Sequence, residues 1–152
     1  RNFGELKNYK RVTEKIISER TKKYIDTTND LKTILKSLTN SKEENKFFAK
    51  VFQAIRIEVN EELEVIKTLL DKSLKYLKKG GRLVCISYHS LEDRLVKKFI
   101  QNGGFTNETS TDLYGNKDLK LKKIGKMITP SEKEIIKNNR SRSAKLRIAE
   151  RI

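Results

Sequence analysis

The hydrophobic period of this chain changes at Gly80-Gly81, and that change limits the possible folds more than any other feature. Before it, Phe48, Phe52, Ile55, Val59, Leu63, Ile66, Leu70, Leu74 and Leu77 follow at steps of three or four residues. That is the spacing of an apolar helix face. One helix of that length is unusual. Asn60 followed by Glu61 and Glu62 therefore marks a break, with a capping side chain and two carboxylates suited to a new helix start. After the glycines, Arg82–Tyr88 is a short, nearly unbroken apolar run with β-branched residues, which reads as a buried strand of the parallel kind. Ser90 and Asp93 form a capping-box-like pair ahead of Leu91, Leu95, Val96, Phe99 and Ile100, and Gly103-Gly104 closes that helix. Helix, strand, helix is the repeating element of a doubly wound sheet, so the class is α/β.

The flanks are shorter elements. Leu6, Tyr9, Val12, Ile16 and Ile17 predict an amphipathic helix over 5–20, and Asn29 caps a second one carrying Leu31, Ile34, Leu35 and Leu38. Residues 105–122 are polar and read as a flexible excursion. Lys123–Thr129 predicts a short strand, and Pro130 with Ser131-Glu132 opens a brief helix. At the end Leu146, Ile148 and Ile152 alternate with Lys145, Arg147 and Arg151, the pattern of a half-buried or edge strand with a basic outer face.

Charge narrows the partner. Among 152 residues, 35 are Lys or Arg and 20 are Asp or Glu, a formal net charge of +15. The excess is uneven: residues 1–25 hold 8 basic and 3 acidic groups, and residues 116–152 hold 12 and 4. Basic ends around a near-neutral middle favour a polyanion, since each neutralised phosphate releases condensed counterions. A solvated lysine-rich surface is the bland alternative. No apolar stretch approaches the roughly 20 residues of a membrane span, which disfavours a membrane partner. One Cys85 excludes an internal disulfide framework and suits a reducing, cytoplasmic setting, and no secretory leader is read. The chain opens on Arg1 rather than Met, so it is read as a piece of a longer protein.

Three groups of residues are placed to carry chemistry. Ligands of open α/β sheets bind outside the carboxyl ends of strands, where Ser87, His89 and Ser90 fall, with Glu92 and Asp93 on the next helical turn. For Ser90 and Asp93 helix capping competes with catalysis. Around Asn139, the residues Arg140, Arg142, Ser143, Lys145 and Arg147 offer bidentate phosphate contacts with interleaved hydroxyls, or else a charged strand edge protected from aggregation. Arg56, beside Gln53 on a hydrophobic helix face, supports either packing or RNA contact. Cys85 lies mid-strand, where a small core residue is expected rather than a nucleophile. With one Cys and one His, a protein zinc site built on those ligands is excluded.

Three blocks carry a resemblance: Phe52–Leu63 (FQAIRIEVNEEL), Gly80–Phe99 (GGRLVCISYHSLEDRLVKKF) and Asn139–Glu150 (NRSRSAKLRIAE). In order and spacing they resemble the MraW (RsmH) family of bacterial small-subunit ribosomal RNA cytosine-N4 methyltransferases. The opening Phe3-Gly4-Glu5 and the helix after it also match. The resemblance implies transfer of methyl from S-adenosyl-L-methionine to the N4 amine of a cytidine in small-subunit ribosomal RNA. It implies a Rossmann-like methyltransferase sheet interrupted by a helical insertion. Residues 1–58 would be that insertion, an RNA-recognition domain, and residues 59–152 the C-terminal part of the methyltransferase domain. The family's Gly-rich cofactor loop and its Ser-Ser-Pro segment would precede the residues given, so no cofactor-binding residue is assigned here and this chain alone is expected to be inactive. The partner would be the RNA or the ribosomal subunit. An exposed sheet edge would also permit a homodimer. The rival class is a non-catalytic basic RNA-binding or ribosome-assembly module.

Overall fold

Two compact units divide the chain at Glu62 and Leu63 in a computed structural model that describes residues 2–105 and 119–152. Most of the expected excursion at 105–122 lies outside the described residues.

The first unit is helical: α1 (Tyr9–Arg20), α2 (Thr28–Leu35) with a 3₁₀ turn at Lys36–Leu38, and α3 (Glu44–Val59). The cap of α2 is Thr27 rather than Asn29. Its hydroxyl accepts the Asp30 N–H at 3.0 Å, and the Asp30 carboxylate accepts the Thr27 N–H at 3.0 Å. That reciprocal pair satisfies two otherwise orphaned donors, which a single Asn cannot do. Val12, Leu31, Leu35, Phe47, Phe48 and Val51 form the core, and Leu35 is fully buried. Buried on α3 are therefore Phe47, Phe48 and Val51, with Ile57 further along. Ile55 and Val59, expected on the apolar face, are exposed. Asn60 ends α3 instead of opening the next helix, and Glu61 makes the break with a left-handed φ of 49°.

The second unit contains α4 (Glu62–Tyr76, from its second residue), β1 (Arg82–Ser87), α5 (Ser90–Asn102), β2 (Leu121–Ile128), α6 (Glu132–Lys137), a 3₁₀ turn at Asn139–Ser143 and β3 (Lys145–Arg151). Among the described residues the sheet order is β1-β3-β2, with both pairings antiparallel. The mixed α/β class holds. The expected parallel pairing of β1 is not seen, because its strand partner here is β3, running the other way from Lys145 opposite Ser87 to Glu150 opposite Arg82. Nor is β3 an edge: it is the central strand.

Register decides the faces. Leu83, Cys85 and Ser87 share one face with Ala149, Arg147 and Lys145. That face packs on the α5 side, where Leu70, Val96, Phe99, Ile100, Leu121 and Ala149 form the core with Leu83, Cys85 and Phe105 against it. Burial of an aromatic such as Phe99, at 0% exposure, contributes about 2–3 kcal/mol. The opposite face carries Val84 and Ile86, which remain exposed. The expectation that the basic residues of β3 lie on the outer face is thus reversed: Lys145 and Arg147 point to the packed side. No helix of the described residues is long and apolar enough to cross a membrane.

Candidate functional site

The β1–α5 junction is built by a cap. The chain leaves β1 at Ser87, and His89 takes the extended conformation of an N-cap residue. Its Nδ1 accepts the Leu91 N–H at 3.2 Å, which puts the ring proton on Nε2. The Glu92 carboxylate accepts both the Tyr88 N–H (3.1 Å) and the His89 N–H (3.2 Å). The box is therefore His89 with Glu92, one residue earlier than the expected Ser90 with Asp93. Ser90 becomes the first residue of α5.

Asp93, released from capping, faces the sheet. Its carboxylate accepts from Arg147 Nε at 2.7 Å and Arg147 Nη2 at 3.0 Å, a bidentate pair, with Lys145 Nζ at 3.4 Å. Ser87, 5% exposed, donates weakly to the Lys145 carbonyl at 3.5 Å. Arg147 Nη2 also lies 3.5 Å from the Met127 sulfur. The hydrogen bond from the Arg147 guanidinium holds the Asp93 carboxyl below the usual aspartate range, against the opposing effect of burial. Burial pushes the Cys85 thiol up, as befits a core residue.

The remaining arginines are presented differently. In the Asn139–Ser143 turn, Ser141 is buried, and its N–H and Oγ both donate to the Asn138 carbonyl, at 2.9 and 2.8 Å. The Asn138 side chain accepts the Arg140 N–H at 3.1 Å. Pinned at its centre, the turn leaves Arg140, Arg142 and Ser143 exposed, and neither arginine joins an ion pair among the described residues. The pattern of the sequence thus separates into two sets. Arg140, Arg142 and Ser143 point to solvent, while Lys145 and Arg147 are held by Asp93. Arg56 makes a bidentate contact with Glu62 (2.7 and 3.1 Å) across the α3–α4 break. Its side chain is 57% exposed, so it is not partly buried as its neighbours suggested.

The sequence that builds this strand end and basic turn has relatives. The model of the MraW methylase family matches residues 1–152. The chain belongs to that family. The ribosomal RNA small subunit methyltransferase H of Flavobacterium johnsoniae is 52% identical over 151 residues, covering 99% of this chain and 50% of that protein. The protein of the same name from Cytophaga hutchinsonii is 51% identical over 149 residues (98% and 50%), and that of Bacteroides fragilis 46% over 150 (98% and 49%). The chain spans about half the length of the curated relatives it matches.

MraW methylases as methyltransferases call for S-adenosylmethionine, but the residues present do not make a cradle for it. Its ribose hydroxyls, adenine amine and sulfonium need open acceptors and apolar walls. Here the Glu92 carboxylate already takes two backbone donors, and Asp93 takes Arg147 and Lys145. Among the described residues no buried side-chain polar atom lacks a partner. What the strand end of this MraW chain offers is a junction whose Glu92 and Asp93 carboxylates are already engaged.

Proposed function

We propose that the whole protein transfers methyl from S-adenosyl-L-methionine to the N4 amine of a cytidine in small-subunit ribosomal RNA, in the cytoplasm. The observation that carries this reading is the family match over all 152 residues. The share of this chain in that work is RNA holding and the shaping of one strand end. Ser87, His89 and Ser90 set the geometry beside the acceptor amine, because substrates of open α/β sheets lie beyond the carboxyl ends of strands. Arg140, Arg142 and Ser143 meet the phosphate backbone, with Lys145, Arg147 and Arg56 contributing field more than direct contacts, since carboxylates already engage them.

The committed polar groups of the strand end support a second reading, a basic RNA-binding module without catalysis. One experiment separates the two. Full-length protein is given labelled S-adenosylmethionine with small-subunit RNA or assembled subunits, and the RNA is digested to nucleosides. Label in N4-methylcytidine supports the enzyme. Tight RNA binding without transfer to either substrate sinks it and leaves the module.

A further inference from the structure

A second cationic feature lies away from the Arg140–Arg142 turn, between α5 and β2. Its origin is a fault in the β2–β3 register. Ile124 pairs with Ile148 and Ile128 with Leu146, so Gly125, Lys126 and Met127 stand where β3 has only Arg147. Extra residues of this kind bend the strand and re-aim its side chains. Gly125 has a φ of 64°, the left-handed region, and a Cβ there would meet nothing within 4 Å. Glycine is thus favoured by the backbone turn rather than by crowding.

The bend faces α5 across a cleft of about 40 Å³, whose walls include Lys97 and Gln101 on α5 and Lys123, Lys126, Met127 and Arg147 on the sheet. Among the described residues no carboxylate lines it. Arg147 is neutralised by Asp93, but Lys97, Lys123 and Lys126 join no ion pair among the described residues. No described carboxylate offsets these three charges, and an anion held in the cleft would be attracted to them. The volume admits only a few water-sized groups, which suits a phosphate and falls far short of a nucleobase or a cofactor.

We infer that this cleft takes a backbone phosphate of the RNA, as a contact separate from the Arg140–Arg142 turn. The inference rests on the ribosomal RNA reading above. Lysines act there as rotatable point charges, and the Gln101 amide adds a neutral donor. The contact sets register on the RNA and reads no base.

The test is binding of small-subunit RNA by the full-length protein over a range of salt, for wild type and for the triple variant Lys97→Gln, Lys123→Gln, Lys126→Gln. The expected result is roughly five- to tenfold weaker binding near physiological salt, with the slope of log K against log salt reduced by about one. The triple Lys→Arg variant keeps both values, and urea midpoints confirm that each variant is folded. A charge-matched control, Lys72→Gln, Lys75→Gln, Lys79→Gln, keeps the wild-type slope. Equal losses in control and test variants would reduce the effect to net charge and overturn the site. Wild-type binding left intact in the triple variant overturns the site while the RNA reading stands. A wild-type protein that does not bind the RNA overturns both.

Discussion

Asp93 on α5 and Arg147 on β3 meet through two short hydrogen bonds, Nε to Oδ1 at 2.7 Å and Nη2 to Oδ2 at 3.0 Å, with both side chains at or below 14% exposure. The pair ties a helix to the central strand of its sheet at a point 54 residues apart in sequence. Lys145 adds a longer contact to the same carboxylate. A charge so enclosed is stable only while its partner remains.

Asp93→Ala strands Arg147 on the packed face and should cost about 3 kcal/mol in urea unfolding. Arg147→Met alone should cost a similar amount, and the double variant less than the sum of the two. Additive losses would show that the pair contributes no coupling.

The acid response follows from the same contact. Asp93 titrates below its unfolded value because Arg147 hydrogen-bonds its charged form. The unfolded chain therefore binds more protons in that window, and stability rises with pH there. The contribution is fully present above about pH 4, the unfolded aspartate range, and is lost as pH falls toward the folded value. Unfolding free energies measured from pH 6 to pH 2 should fall more steeply for wild type than for Asp93→Asn. Parallel curves would contradict the assignment.

His89 caps α5 through Nδ1. His89→Ala should cost about 1 kcal/mol, and His89→Asn, which keeps an acceptor at the cap, much less. Methyl transfer by the full-length protein then discriminates roles. Activity retained in the Asn variant assigns His89 to positioning, and activity lost in both variants at unchanged stability assigns the ring itself a part in the site.

Phe99 is fully buried against the Phe105 ring, whose centroid is 5.2 Å away, while Tyr76 is 83% exposed. Phe99→Ala should lose about 4 kcal/mol, and Tyr76→Ala should stay within about 0.5 kcal/mol of wild type. Thermal or urea denaturation reads both.

Arg140→Gln with Arg142→Gln should weaken RNA binding and reduce the salt slope by about one to two, without lowering the urea midpoint, since both side chains are exposed. Ser141→Ala at the centre of the turn removes only the hydroxyl donor to Asn138. It should lower RNA affinity by loosening the turn, with both arginines still present.

Local patterns were legible wherever one segment carries its own signal. The 3.6-residue spacing around Leu31 and Phe99, the end of α5 at Gly103, and the start of a brief helix at Ser131-Glu132 all appear where the sequence puts them. Capping was readable only to within a residue or two, as Thr27 and His89 show, because neighbouring polar side chains compete for the same backbone donors. Lys97, Lys123 and Lys126 gave no signal as a group. They lie on two elements, and the packing of α5 on the sheet, with the unpaired residues opposite Arg147 that include Lys126, brings them to one cleft.

By itself the sequence determined the order of elements, the switch from helical to strand period at Gly80-Gly81, the concentration of positive charge at both ends and the family. Tertiary structure decided which side of β3 turns inward. Alternation separates two faces and cannot rank them when one carries Leu146 and Ile148 and the other Lys145, Arg147 and Ala149. The cationic face is the packed one because Ala149 is small enough to lie under α5 and Asp93 supplies the charge that Arg147 and Lys145 need there. That compensation comes from a residue more than fifty positions away, and no local pattern contains it.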